Sequence, residues 1–133
     1  EVPAPTGGAL SAFVFKTLSD PHQGRLNLVK VVSGTLATNA ELLNSRTGKK
    51  ERASLVLKMV GKESTGVDAV PAGDIAVLPK LLETATNDTL STKGDVRFAP
   101  MPLPEPLYAV AIRAKNKADE DKLGTGLNKI VDE

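Results

Sequence analysis

Short apolar or alternating runs, separated by turn-forming residues, fill the chain as far as Leu90. Ala12–Leu18 is predicted to be a strand, and Arg25–Val32 alternates between polar and apolar positions, which is the two-residue period of a half-buried strand. Pro21 fixes its own φ and Gly24 can take a positive φ, so the segment between these runs is predicted to be a hairpin turn. Further strands are predicted at Glu41–Leu43, Ala53–Val60, Val67–Val70 and Asp74–Leu78, with loops at 44–50 and 61–66.

These strands follow one another at intervals of roughly 8–12 residues without helical segments between them, a spacing typical of a small barrel or sandwich. A barrel is favoured because closure leaves no strand edge exposed. The sequence therefore predicts a mainly β fold, a small closed antiparallel β-barrel over residues 12–95, preceded by an N-terminal linker over residues 1–11.

The pattern changes after Leu90. Prolines at positions 100, 102, 104 and 106 favour an extended, semi-rigid spacer, so residues 96–106 are predicted to be a Pro-rich linker. Beyond it, Leu107–Arg113 is predicted to form a strand. Acidic residues at 119–121, followed by apolar residues at helical spacing, predict a helix. Residues 107–133 would then be a β-α fragment of a second domain.

Composition excludes several kinds of site. The 133 residues include no cysteine and one histidine, His22, which excludes disulfides, thiolate zinc sites and multi-histidine metal sites within this chain. The net charge of +1 favours neither nucleic acid nor a membrane, and the longest apolar run, Leu107–Ile112, is far too short for a bilayer span. The first residues show neither an initiator Met nor a signal pattern, which suggests a processed piece of a cytoplasmic protein.

Two motifs that could support nucleotide binding or catalysis have simpler interpretations. Asn116-Lys117-Ala118-Asp119 fits a guanine-recognition motif, but an Asn before acidic residues is an ordinary helix start, and the sequence lacks a phosphate-binding G-x-x-x-x-G-K-[ST] loop. His22 shares one short turn with Ser19 and Asp20, which is too crowded for a catalytic triad. We therefore expect no catalytic, cofactor, metal or small-molecule substrate site in this chain.

The strongest candidate for binding is a basic cluster between Arg46 and Lys62, where six Lys and Arg side chains accompany one acid, Glu51. On a hairpin, such side chains converge and can contact phosphates. The residues predicted to contact RNA are Arg46, Lys49, Lys50 and Arg52. The alternative is a solvated hairpin whose lysines only protect the sheet edge.

Several blocks, in order along almost the whole chain, resemble domain II of elongation factor G and its paralogues. They are Ser19-Asp-Pro-His-Gln-Gly-Arg-Leu26, Lys30-Val-Val-Ser-Gly-Thr-Leu36, Thr47-Gly-Lys-Lys-Glu-Arg52, Ala72-Gly-Asp-Ile-Ala76 and Thr86-Asn-Asp-Thr-Leu90. In the tail, Pro104-Glu105-Pro106, Val110-Ala111-Ile112 and Lys117 to Lys122 resemble the start of domain III of that family.

The sequence also departs from the family pattern. Asn87 replaces a Gly, and Asn39-Ala40 stands where many relatives have Gly-Asp; both turns can survive because Asn tolerates a positive φ. Pro79-Lys80 replaces a usual Gly-Leu, and a proline there requires a strand edge or a bulge. These departures suggest a divergent paralogue rather than the housekeeping translocase.

The resemblance implies a non-catalytic fragment of a translational GTPase. In the intact protein it implies a GTPase domain that uses GTP and magnesium, and against which domain II packs. It also implies that the domain contacts small-subunit ribosomal RNA and that the tail is the first strand and helix of a ferredoxin-like domain III. Two alternatives stay open: a structural spacer barrel without direct RNA contact, or the equivalent domain of a ribosome-protecting or release-factor GTPase.

Overall fold

A computed structural model describes residues 7–94 and 96–131. Outside the described residues lie Glu1–Thr6 of the predicted N-terminal linker, Asp95 of the predicted barrel and the last two residues of the predicted tail. The described part contains one helix, α1 (Glu120–Val131), which follows a 3-10 turn at Lys117–Asp119. Its strands are β1 (Ser11–Asp20), β2 (Gly24–Ser33), β3 (Thr35–Ala37), β4 (Ala40–Asn44), β5 (Lys50–Ala53), β6 (Leu57–Val60), β7 (Glu63–Gly66), β8 (Ala69–Pro71), β9 (Ile75–Pro79) and β10 (Thr89–Ser91).

Eight strands form one antiparallel sheet in the order β5-β4-β10-β1-β2-β9-β6-β7, and β3 pairs with β8 in a separate two-stranded sheet. The large sheet curls as a half-barrel around a hydrophobic core. Its edge strands β5 and β7 are not paired with each other, so the mainly β, antiparallel prediction is confirmed whereas the predicted closure of the barrel is not shown.

The predicted β1–β2 hairpin is present, paired from Ser11↔Ser33 to Asp20↔Gly24 with register shifts after Ser11 and after Val14. Its turn is closed by Asp20, whose Oδ1 accepts hydrogen bonds from the backbone N–H groups of His22 (2.8 Å) and Gln23 (2.7 Å). Gly24 has a φ of 75°, as the turn prediction requires. Asn39 and Asn87 also have positive φ values, 67° and 72°, so asparagine occupies the left-handed region in both turns, as the sequence analysis expects.

Two apolar clusters lie on opposite faces of the sheet. Along β2, Val29 and Val31 belong to the main core, whereas Leu26 and Leu28 belong to the second cluster. Because side chains alternate between the faces of a strand, the second cluster lies outside the half-barrel. Its buried members are Leu26, Leu57 and Val77, with Leu18, Leu28 and Met59 packed against them.

Two strand predictions and one loop prediction need correction. The predicted strand Ala53–Val60 is divided into β5 and β6, because residues 54–56 lie outside the ladder. The predicted loop 61–66 contains β7. The predicted strand Leu107–Arg113 is wrong: residues 96–116 form no strand or helix in the described chain, because no neighbouring strand offers this segment a ladder. The helix that follows is confirmed.

Part of the predicted linker is packed on the sheet. The rings of Phe13 and Phe98 meet edge to face with centroids 6.1 Å apart, and the backbone N–H of Phe98 donates to Thr89 Oγ1 (2.9 Å). Asn87 and Met101 form a reciprocal pair, with Met101 N donating to Asn87 Oδ1 (2.8 Å) and Asn87 Nδ2 donating to Met101 O (3.3 Å). Residues 96–101 are therefore held against the sheet, and residues 102–113 are exposed throughout.

Candidate nucleic-acid interface

The predicted basic residues lie on the β4–β5 hairpin, in which Glu41 pairs with Arg52 and Leu43 pairs with Lys50. Asn44 shapes the connecting loop, because its Oδ1 accepts from the backbone N–H groups of Arg46 (2.9 Å) and Thr47 (3.3 Å). Such local side-chain hydrogen bonds are the ordinary reason that asparagine favours turns. The structure thus places Arg46, Lys49, Lys50 and Arg52 on one hairpin, as predicted. That these residues bind RNA stays a prediction.

Lys50 and Arg52 share the outer face of the hairpin. Leu42 and Asn44 are fully buried, so the residues that alternate with them on β4 face outward, as do their partners on β5. Lys50 Nζ forms an exposed ion pair with Glu41 Oε1 at 2.6 Å. The guanidinium of Arg52 makes no hydrogen bond or ion pair with the residues that the structure describes.

Arg46 has a different environment, because its guanidinium holds a buried carboxylate. Nε lies 2.5 Å from Asp88 Oδ1 and Nη2 lies 2.9 Å from Asp88 Oδ2, while the Asp88 residue is only 2% exposed. Asp88 Oδ2 also accepts from Asn44 Nδ2 (2.7 Å) and from the backbone N–H of Ala85 (2.8 Å). Burial alone would raise the pKa of Asp88, but these hydrogen bonds to Arg46, Asn44 and Ala85 outweigh it and lower that pKa below its ordinary value.

The same hairpin is fastened to the loop over residues 80–88. Glu51 Oε1 accepts from the backbone N–H groups of Leu82 (2.7 Å) and Glu83 (3.0 Å), and its Oε2 accepts from Thr84 Oγ1 (2.5 Å). Lys49 Nζ pairs with Glu83 Oε1 at 2.7 Å. Arg46, Lys49 and Glu51 therefore join the hairpin to this loop, and two of the four predicted cations are engaged in that contact.

The chain segment that carries two cations missed by the sequence analysis packs against the hairpin. The backbone of Gly94 approaches Leu43 so closely that an added Cβ would overlap with Leu43 Cδ2. Ser45 Oγ donates to Val96 O at 2.9 Å. Lys93 and Arg97, both exposed, come directly before Gly94 and directly after Val96 in the sequence. Asp95 lies outside the described residues.

We call Lys50, Arg52, Lys93 and Arg97 the outer hairpin patch. Lys93 and Arg97 are about 40 positions from the hairpin in sequence and stand next to or within the predicted linker, so no local pattern could have placed them there. The patch can offer several cations to a polyanion, with Glu41 as the acid that faces them from β4.

The two rejected motifs lie where the sequence analysis expects. Asn116 has an extended backbone (φ −125°, ψ 147°) and directly precedes the 3-10 turn and α1, which confirms a helix start, although its side chain makes no capping hydrogen bond. His22 is exposed in the β1–β2 turn. Within residues 7–94 and 96–131, no group of three His, Cys, Asp or Glu side chains could hold a metal ion, and no helix is long and apolar enough to cross a membrane.

Comparison with known proteins gives two results. The family profile described as elongation factor G domain 2 matches residues 9–93. The structure is similar to a crystal structure of a protein from Thermus thermophilus, with a TM-score of 0.81 and 27% sequence identity over 95% of this chain. The matched region covers 19% of that protein, so this chain spans about one fifth of its length.

The family match agrees with the blocks of sequence that suggested it, from the turn at Ser19–Leu26 to Thr86–Leu90. The matched region is a non-catalytic domain and not the GTPase domain, which confirms that this stretch of chain is not itself an enzyme. Residues 9–93 are an elongation factor G domain 2, and the chain belongs to the elongation factor G family.

Proposed function

We propose that this chain is a docking domain of a cytoplasmic translational GTPase, which binds small-subunit ribosomal RNA through the outer hairpin patch. The observation that carries the proposal is the position of Lys50 and Arg52 on the exposed face of the hairpin, together with the packing of the segment that carries Lys93 and Arg97 against the same hairpin. Contacts to phosphates position a protein on RNA without reading its sequence.

The chemistry of the patch favours phosphates over bases. Among the described residues, Phe13 and Phe98 are packed on each other, and Tyr108 lies in the exposed tail. Stacking of unpaired bases needs exposed aromatic platforms beside the cations, and Phe98, the ring next to Arg97 in sequence, is half-buried by its edge-to-face contact with Phe13. Lysine and arginine on a rigid hairpin suffice for backbone contacts.

The intact protein is proposed to supply the remaining parts of the machinery. A GTPase domain elsewhere in it would bind GTP and magnesium and pack on this domain, so that this chain itself needs no cofactor. The tail from Leu107 onward, with its helix α1, is proposed to begin the next domain. This domain would then transmit the nucleotide state between its neighbours.

The test is the salt dependence of binding to purified small ribosomal subunits. For the Lys50→Ala/Arg52→Ala double variant we expect weaker binding. The plot of the logarithm of the association constant against the logarithm of the salt concentration should also become less steep, by about 1 for each phosphate contact that is removed. Because both side chains are exposed, the free energy of unfolding should change by less than about 0.5 kcal/mol each.

The matched control is Lys16→Ala/Lys62→Ala, which removes the same charge from exposed positions outside the patch. This control should keep the salt slope of the unmodified chain. If the two double variants bind equally well and with equal slopes, the domain is a structural spacer without direct RNA contact through this patch, and the proposal is wrong.

A further inference from the structure

A groove of about 500 Å³ lies on the outside of the half-barrel, away from the hairpin β4–β5. Strands β1, β2, β6 and β9 and the turn before β9 form it. Its apolar lining is Phe15, Leu28, Met59, Val60, Ile75 and Val77. Val60 is 81% exposed and Ile75 is 51% exposed, so large apolar side chains meet solvent at this site.

These exposed side chains are not scattered singly over the surface. Leu28, Met59 and Val77 belong to the second apolar cluster, in which Val77 is 1% exposed. The groove is therefore the open end of a cluster whose other end is buried. A contiguous apolar patch of this kind, rimmed by polar groups, is typical of an interaction site.

The rim of the groove carries an unbalanced positive charge. Lys58 Nζ pairs with Asp74 Oδ2 at 2.8 Å, and this ion pair lowers the pKa of Asp74. Lys30 Nζ donates to the carbonyl oxygen of Gly73, and within the described chain it forms no ion pair with a carboxylate. A ligand that fills the groove can therefore gain a charged partner at Lys30.

We propose that the groove binds a segment of a partner protein that presents an apolar side chain next to a carboxylate. The apolar side chain would cover Val60 and Ile75, and the carboxylate would meet the Lys30 ammonium. A nucleic-acid ligand fits less well, because phosphates gain nothing from covering Val60 and Ile75, and Phe15 is the one aromatic ring among the lining residues.

The test uses the complete chain, labelled with ¹⁵N, and three pentapeptides with blocked termini. The first is Gly-Ser-Leu-Asp-Gly, the second has Lys in place of Asp, and the third has Ala in place of Leu. We expect the first peptide at millimolar concentration to give saturable shifts of the Val60, Gly73 and Ile75 amide signals. The Lys peptide should bind about threefold more weakly, and the Ala peptide should bind about tenfold more weakly.

Two variants separate the apolar and the charged contributions. Ile75→Ser should weaken binding of the first peptide about fivefold. Lys30→Gln should remove the preference for the Asp peptide over the Lys peptide. Leu82→Ser is the matched control, because Leu82 is 82% exposed and lies outside the groove, and it should change neither affinity nor preference.

Three results would overturn the proposal. The first is the absence of saturable shifts, or shifts confined to other regions. The second is equal affinity for the Asp and Lys peptides. The third is a shift of the Val60 and Ile75 signals with protein concentration alone, because a second copy of the chain would then occupy the groove.

Discussion

Arg46 shows why the sequence does not tell which cations of a basic cluster are available to a ligand. The cluster on the hairpin is visible in the sequence, but the acid that holds Arg46, Asp88, is 42 positions away. Arg52 lies on the same hairpin and has no such partner among the described residues. Pairing across the fold therefore decides which cations are available to a ligand.

Replacing Arg46 by Ala should destabilise the fold by roughly 1–3 kcal/mol at neutral pH, because the buried Asp88 carboxylate loses two hydrogen bonds. The pKa of Asp88 is lower in the folded chain than its ordinary value. Its stabilisation is thus complete above the unfolded pKa of about 3.9 and is lost as the pH falls through the lower folded pKa. Urea unfolding over a pH series measures both effects.

In that series, the free energies of unfolding of Arg46→Ala and of the unmodified chain should become more similar at acidic pH. Arg52→Ala is the control, and its effect on the free energy of unfolding should stay below about 0.5 kcal/mol throughout. Equal stability of the two variants at neutral pH would show that the Arg46–Asp88 pair contributes nothing to the fold.

Turns and alternating strands are the elements that the sequence specifies most clearly. Pro21 and Gly24 predict the β1–β2 turn because both act through their own backbone geometry. The polar strand β7 escapes prediction because Glu63–Gly66 lacks an apolar pattern, and its partner β6 defines it instead. Leu107–Arg113 fails in the opposite way, because an apolar run without a neighbouring strand does not make a ladder.

The turn between β2 and β3 gives a prediction at the same scale. Gly34 has a φ of 71°, and an added Cβ would stand 2.9 Å from the backbone N and Cα atoms of Leu10. Gly34→Ala should therefore destabilise the fold by more than the cost of about 1–2 kcal/mol that a left-handed backbone alone imposes.

Gly61→Ala is the matched control, because Gly61 has a φ of 61° and open space around its missing Cβ. Thermal unfolding of the two variants separates backbone strain from steric overlap. Equal melting temperatures would contradict the prediction.

For the whole molecule, residues 96–101 pack on the sheet of the β domain, although the sequence analysis assigns them to the linker. The sequence analysis places the linker at 96–106 because of its prolines, and composition alone gives no sign that Phe98 meets Phe13 or that Met101 pairs with Asn87. These contacts join positions that are far apart in the chain, which is information that a local pattern lacks.

Limited proteolysis with a protease of broad specificity should therefore cleave first between residues 102 and 116, where the chain is exposed and outside any ladder. The large product should retain Phe98 and Met101 and unfold at the same temperature as the complete chain. Mass spectrometry locates the cut. A first cut before Phe98 would show that the contacts of residues 96–101 do not hold this segment to the domain.

The position of β10 in the large sheet has a consequence for biosynthesis. β10 (Thr89–Ser91) pairs with β1 on one side and with β4 on the other, and so connects the β4–β5 hairpin to the remaining strands. During translation, β1 and β2 can pair early, but the hairpin cannot join their hydrogen-bonded ladder until Ser91 has left the ribosomal exit tunnel. Completion of this domain is therefore a late event in its own synthesis, governed by contacts of high sequence separation that close slowly.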